Sequence, residues 1–209
     1  LMENKSRGLP IFEVPASRSD GQASKVLLVV GTRHPATMAQ LQKLFAWRDT
    51  AVAAVDIDSL AGKGVVDTVD TAVKQFDERY TSQQYIVITT DRIAGGIQEK
   101  FEMKAGEPFQ HPPCHLSHIT DALAEVARRM LERFPSSAVI LTGGATASAV
   151  FQRIGAHQIT LMAEPLSGVV AGMTENGLYV ATKSGGFGNE DTLVALSEYM
   201  IQLLGEKAS

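Results

Sequence analysis

The chain has a single cysteine, Cys114, among its 209 residues. No intrachain disulfide can form, and cysteine usage gives no support to an oxidising compartment. A basic surplus is missing too: 19 Lys and Arg stand against 23 Asp and Glu, a net charge of −4 at pH 7. A protein that neutralises many nucleic-acid phosphates needs a basic face or stripe. Here the densest basic cluster is Arg128, Arg129 and Arg133 on one expected helix, so neither nucleic acid nor a membrane surface is an expected partner. No apolar run approaches the roughly 20 residues of a membrane span, and the N-terminus lacks the charged-then-apolar order of a signal peptide. The expected location is therefore cytoplasmic. Internal repeats and low-complexity blocks are absent, as are a Walker A loop, a GxGxxG after the first strand and a GxSxG elbow.

What is present is the composition of a folding chain, 44% apolar and 20% charged, far from the low-hydrophobicity regime of disorder. Residues 1–24 mix Gly, Pro, Ser and charge and read as a tail or interdomain connector. From Lys25 onward the pattern changes. Val26–Val30 (VLLVV) is a run of aliphatics closed by Gly31, as in a strand buried on both faces. Met38, Leu41, Leu44 and Phe45 then recur at helical spacing. Further strands are expected at Ala51–Ile57, Tyr85–Thr90, Ala138–Thr142, Ile159–Met162 and Leu178–Thr182. Helices are expected at Val65–Tyr80, Leu116–Phe134 (ended by Pro135), Thr146–Ile154 and Glu190–Leu204. Alternating strands and helices predict an α/β fold, a three-layer α/β/α sandwich around a mostly parallel sheet. Gly168, Gly172 and Gly177 break up Leu166–Tyr179, so an antiparallel strand or hairpin is expected near 166–182.

Three loops fall where open α/β sheets bind ligands, beyond the carboxyl ends of their strands: GTRHPAT (Gly31–Thr37), TGGAT (Thr142–Thr146) and KSGGFG (Lys183–Gly188). In the second, Gly143 and Gly144 join a buried strand directly to a helix, and the unpaired amides and dipole of a helix start attract phosphate. Thr146 adds a hydroxyl. In the third, three glycines beside Lys183 form another concave amide surface with a point charge. Paired glycines also serve simply to close tight turns; the conjunction of the loops is what points to an anion.

Two other constellations are weaker. His111, Cys114, His115 and His118 (HPPCHLSH) are zinc-ligand types at a spacing that matches no common zinc pattern, and Ser117 or Thr120 there suits a helix cap. No metal site and no catalytic residue are assigned. Glu190 and Asp191 fit the start of the last helix, where negative charge is favoured, with Mg²⁺ binding as the alternative.

With LTGGATASAVFQRIG (Leu141–Gly155), ATKSGGFGNEDTL (Ala181–Leu193) and, in the matching first place, VLLVVGTRHPATMAQL (Val26–Leu41), the chain resembles the C-terminal nucleotide-binding domain of the four-carbon acid sugar kinases, which act on 3-oxo-tetronate, threonate or erythronate. The likeness runs from about Lys25 to Leu204 and makes 25–209 the nucleotide-binding domain. It implies ATP and Mg²⁺ as cofactors, with Thr32, His34, Gly143, Gly144, Ala145, Thr146, Lys183, Gly185 and Gly186 at the nucleotide. The sequence departs from the family at Thr32 and His34, where two serines are usual, at Ala145, where an acidic residue is usual, and at Gly168-Val169-Val170 in place of Gly-Val-Pro.

By the same resemblance, family members are about twice as long, and their N-terminal half holds the acid sugar. The expected partners are thus ATP and an acid sugar bound through an N-terminal domain or separate subunit, with a homo-oligomer allowed. The chain then reads as a fragment, a split-gene subunit or a degenerate relative. The alternative is a non-catalytic module that senses a nucleotide or sugar phosphate.

Overall fold

Five consecutive aliphatic residues can be buried on all sides only in a strand with a covered neighbour on each edge and a helix layer on each face. In the computed structural model, which describes residues 24–79, 82–98, 115–135 and 137–206, β1 (Val26–Val30) has that place, every residue buried. The elements that follow are α1 (Pro35–Trp47), β2 (Thr50–Val55), α2 (Ile57–Lys63), α3 (Val65–Arg79), β3 (Tyr85–Thr90), α4 (Asp91–Gln98), α5 (Leu116–Arg133), β4 (Ala138–Thr142), α6 (Gly144–Ile154), β5 (Ile159–Leu166), β6 (Val169–Thr174), β7 (Tyr179–Lys183) and α7 (Thr192–Glu206). The strands form one sheet in the order β2-β3-β1-β4-β7-β6-β5. Strands β2, β3, β1, β4 and β7 are mutually parallel, while β6 is antiparallel to both β7 and β5.

Strand alternation divides the core in two. Leu27 and Val29 of β1 join Val69 and Phe76 of α3, Leu123 and Met130 of α5 and Val150 of α6 on one face. Val26, Leu28 and Val30 join Met38, Leu41 and Leu44 of α1 and Leu196 and Met200 of α7 on the other. The fold is the expected three-layer sandwich with a mostly parallel sheet.

The differences are local. β2 ends at Val55, short of the expected Ile57, because Asp56 accepts the Ser59 amide at 2.6 Å and caps α2. Neither α2 nor α4 is apparent in the sequence; α4 carries Gly95 and Gly96, which disfavour a helix. The antiparallel strand or hairpin expected near 166–182 is present and belongs to a larger unit: all of β6 lies inside that region, and β5-β6-β7 is an antiparallel meander. α6 begins at Gly144 rather than Thr146. α7 begins at Thr192 rather than Glu190, with Asn189 Oδ1 accepting the Asp191 amide. The N-cap of α5 is His115, without a side-chain hydrogen bond, and Thr120 instead donates within the helix to the carbonyls of Leu116 and Ser117. Tyr80, His111, Cys114 and the segment 1–23 lie outside the described residues.

Candidate functional site

Parallel strands side by side deliver their following loops to the same edge, and β1, β4 and β7 are adjacent. Residues 31–34, 143–146 and 184–188 therefore meet. The first loop is ordered by its own polar groups. Thr32 Oγ1 accepts the His34 amide at 3.2 Å, and His34 Nδ1 accepts the Ala36 amide at 3.2 Å, capping α1 ahead of Pro35. The third loop lies against the first: a Cβ on Gly185 would stand 2.9 Å from Thr32 Oγ1, and one on Gly186 would stand 3.1 Å from His34 Nε2. The second loop closes over the first at Gly31, where a Cβ would stand 2.4 Å from Thr146 Oγ1.

These spacings sort the glycines by what they serve. Gly31, Gly185 and Gly186 are small because the neighbouring loop occupies the space a side chain would need. Gly143 has φ +95° and so needs glycine for its backbone. Gly144 differs: it has no positive φ, and a Cβ there would meet nothing within 4 Å. Neither backbone nor packing requires glycine at that position, and it opens α6 at the wall of a cleft. The amide of Gly143 is spent on Lys183 O at 3.0 Å. The first-turn amides of Gly144, Ala145 and Thr146 have no carbonyl a turn back, and the cap residue supplies no side-chain acceptor.

The cleft measures about 880 Å³, within the roughly 300–1,000 Å³ usual for small-molecule sites. Its loop end is formed by Gly143, Gly144, Ser184 and Gly185; one wall is the exposed side of α6, and the floor is the β6-β7 surface at Val170 and Thr182. Of the residues assigned from sequence, Gly143, Gly144, Lys183 and Gly185 line it. Thr32, His34, Ala145, Thr146 and Gly186 stand behind or beside it; Thr146 is buried, and Ala145 is exposed.

Lys183 does not project into the cleft as a free point charge. It follows Ala181 on the α1/α7 face of β7, it is 4% exposed, and its Nζ donates to Thr37 Oγ1 at 3.4 Å. No carboxylate faces it among the described residues, and burial lowers its pKa to about 8. Thr37 in turn donates to Gly185 O at 2.6 Å, and Gln40 Nε2, one turn further along α1, donates to Phe187 O at 2.8 Å. Two buried side chains of α1 thus grip the KSGGFG loop. The sequence reading missed them, although their signal is visible: polar residues at helical spacing with Leu41 and Leu44.

Cation ligands are sparse. Among the described residues no three His, Cys, Asp or Glu side chains gather. Glu190 and Asp191 are engaged by Lys43 at 3.6 and 3.4 Å on the surface.

Comparison with known proteins places the chain as a whole. Residues 27–193 match a family model described as the nucleotide-binding C-terminal domain. The chain belongs to this family. Over 194 residues this nucleotide-binding domain is 24% identical to a D-threonate kinase of Salmonella typhimurium, covering 88% of the chain and 44% of that protein. It is 38% identical over 80 residues to a D-threonate kinase of Bordetella bronchiseptica, covering 36% of the chain and 20% of that protein. A crystal structure of a Bordetella bronchiseptica domain of unknown function, a domain-swapped dimer with bound citrate, superposes with a TM-score of 0.65 at 23% identity, over 87% of this chain and 40% of that one. A Haemophilus influenzae protein superposes with a TM-score of 0.57 at 19% identity, over 85% and 40%. The domain is the C-terminal nucleotide-binding part of the four-carbon acid sugar kinase family, and it spans less than half the length of these relatives. Among the described residues, no helix is long and apolar enough to cross a membrane.

Proposed function

We propose that the chain is the ATP-binding domain of a kinase that phosphorylates a four-carbon acid sugar, with the acceptor held by an N-terminal domain or separate subunit. The observation that carries the reading is Gly144: a glycine that the fold itself does not require, at the start of α6, beside free amides and a ligand-sized cleft. Phosphate oxygens fit there because three amides and the helix dipole converge on them. The Lys183 ammonium, buried behind Thr37, adds a positive field without entering the site.

ATP, when bound, supplies the phosphoryl group for an acceptor hydroxyl. This chain's residues orient the phosphates and hold the glycine loops against each other; positioning and charge stabilisation are most of what such transfer needs. The donor set does not suit a protein-held Mg²⁺: Ala145 offers no carboxylate, and Glu190 and Asp191 are paired with Lys43. Magnesium enters this reading only as the cation carried by the nucleotide phosphates.

Ala145 favours a second reading, a non-catalytic module that senses a nucleotide or sugar phosphate. The two separate in one assay. Mg²⁺ and ATP are given to the chain with D-threonate, erythronate or 3-oxo-tetronate, with and without the N-terminal half of a related kinase. The kinase reading expects no turnover alone and turnover on addition of that half. Binding of ATP with no turnover in either case supports the sensor. The domain-swapped dimer of the Bordetella structure makes self-association part of the proposal, measurable by light scattering.

A further inference from the structure

The KSGGFG loop turns back on itself within four residues, the Phe187 amide donating to Ser184 O at 3.2 Å. Gly185 and Gly186 are the two central residues of that turn. Turns of types I and II differ by a flip of the peptide between the central residues, and type II needs positive φ at the second of them. Glycine at that place accepts either state, so the loop's own sequence sets little preference. The flip matters because the carbonyl and amide of a trans peptide point in opposite directions. One orientation shows an amide hydrogen where the other shows an oxygen.

Neither Gly185 nor Gly186 has positive φ, and α1 supplies the reason. Thr37 donates its hydroxyl proton to Gly185 O at 2.6 Å. The Lys183 ammonium, which can only donate, reaches Thr37 Oγ1 at 3.4 Å and so leaves that proton to the carbonyl. One turn on, Gln40 Nε2 donates to Phe187 O at 2.8 Å, although Gln40 Oε1 is then buried with no partner among the described residues. An unpaired buried acceptor is costly, and here it accompanies a loop carbonyl drawn onto the helix. α1 packs on one face of the sheet, while the cleft opens beside α6 on the other. With Gly185 O held to α1, the Gly186 amide is turned to the cleft side, and it has no partner among the described residues.

We propose that Thr37 is a positioning residue: from beneath the loop it holds the Gly185–Gly186 peptide with its carbonyl on α1 and its amide toward the anion, and Gln40 secures the Phe187 carbonyl in the same sense. The proposal rests on the nucleotide reading and adds what keeps the loop in its anion-accepting orientation. Without the Thr37 hydroxyl, Gly186 is free to take positive φ and the peptide turns over. A carbonyl oxygen then faces the phosphate oxygens, where like partial charges repel. Thr37 and Gln40 are both buried, so they act through the loop and not by touching the ligand. A role in packing alone makes no use of the hydroxyl, which separates the two in experiment.

Thr37→Val keeps the shape and removes the hydroxyl, whereas Thr37→Ser keeps the hydroxyl. Calorimetric titration with inorganic triphosphate is expected to show about tenfold weaker binding in Thr37→Val and binding within about threefold of the unmodified chain in Thr37→Ser. In an amide NMR titration of Thr37→Val, the triphosphate-induced shifts of Gly144, Ala145 and Thr146 should persist while that of Gly186 is lost, a selectivity that loosened packing would not produce. Residual dipolar couplings of the unmodified chain without ligand need no substitution: they give the direction of the Gly186 N–H, expected to point away from α1. Equal affinity in Thr37→Val and the unmodified chain, a loss in Thr37→Ser as deep as in Thr37→Val, or a Gly186 amide directed at α1 overturns the proposal. If the unmodified chain binds no triphosphate, the nucleotide reading falls, and the couplings of Thr37→Val and the unmodified chain still decide whether Thr37 sets the turn.

Discussion

Gly144→Ala separates folding from binding at the residue on which the functional reading turns. The new methyl group meets no protein atom within 4 Å, and the backbone already has a conformation open to any residue. Replacing glycine by alanine at such a position restricts the unfolded chain and stabilises by about 0.4–1 kcal/mol. For a chain of this size that is a rise in Tm of about 1–4 °C. The same methyl group projects into the space through which phosphate oxygens reach the first-turn amides of α6. Losing one charge-assisted hydrogen bond costs about 1.5–3 kcal/mol, so the ATP Kd should rise about 10- to 100-fold. Thermal unfolding and calorimetric titration on the same preparation measure both. An unchanged Kd would refute the phosphate cradle, and a Tm lowered by more than about 5 °C would show that the glycine serves the fold after all. Gly185→Ala is the contrast: its Cβ would stand 2.9 Å from Thr32 Oγ1, so it should lower both stability and affinity.

Three further outcomes follow from the same geometry. Burial lowers the Lys183 pKa to about 8, so the folded chain holds fewer protons than the unfolded one between about pH 8 and 10.5; relative to Lys183→Met, stability should rise with pH across that window while ATP affinity falls, and parallel pH profiles of the two proteins would contradict the assignment. Glu125, 14% exposed, pairs with Arg128 at 2.7 Å and Arg129 at 3.0 Å within α5 and reaches Arg153 of α6 at 3.5 Å. Its burial favours the neutral acid, but the hydrogen bonds from Arg128 and Arg129 outweigh that and hold the pKa low. Glu125→Gln should therefore cost about 1–3 kcal/mol at pH 7 by urea unfolding, and the difference from the unmodified chain should shrink as pH falls through the Glu125 pKa. Gln40→Leu removes the donor to Phe187 O; amide exchange at residues 185–188 should accelerate while the α5 amides stay as protected as before.

The layers and most strands could be read from the sequence because their residues repeat at the period of a strand or helix and pack accordingly. VLLVV, YIVITT and AVILT are central strands buried throughout. What could not be read depends on partners distant in the chain. The short helix α2 is fixed partly by Asp91, 34 residues away, which accepts the Ile57 amide at 3.0 Å. The glycine-rich spacing around 166–182 announced bends, but β6 between them has only six residues and takes its register from both neighbours. At the site, the sequence identified the three loops but could not distinguish Gly144 from Gly31, Gly185 and Gly186. That distinction lies in which chain atoms stand across the gap. Lys183 shows the same limit: its neighbouring glycines suggested a phosphate contact, and strand alternation turns the side chain under α1.

The most direct test is an amide NMR titration of the ¹⁵N-labelled chain with Mg²⁺ and ATP. The account predicts saturable shifts, at millimolar ATP or below, led by the amides of Gly144, Ala145 and Thr146 and joined by those of Gly185 and Gly186. The shifts should shrink in Gly144→Ala. Absence of saturable shifts, or shifts gathered at residues remote from the start of α6, would contradict it.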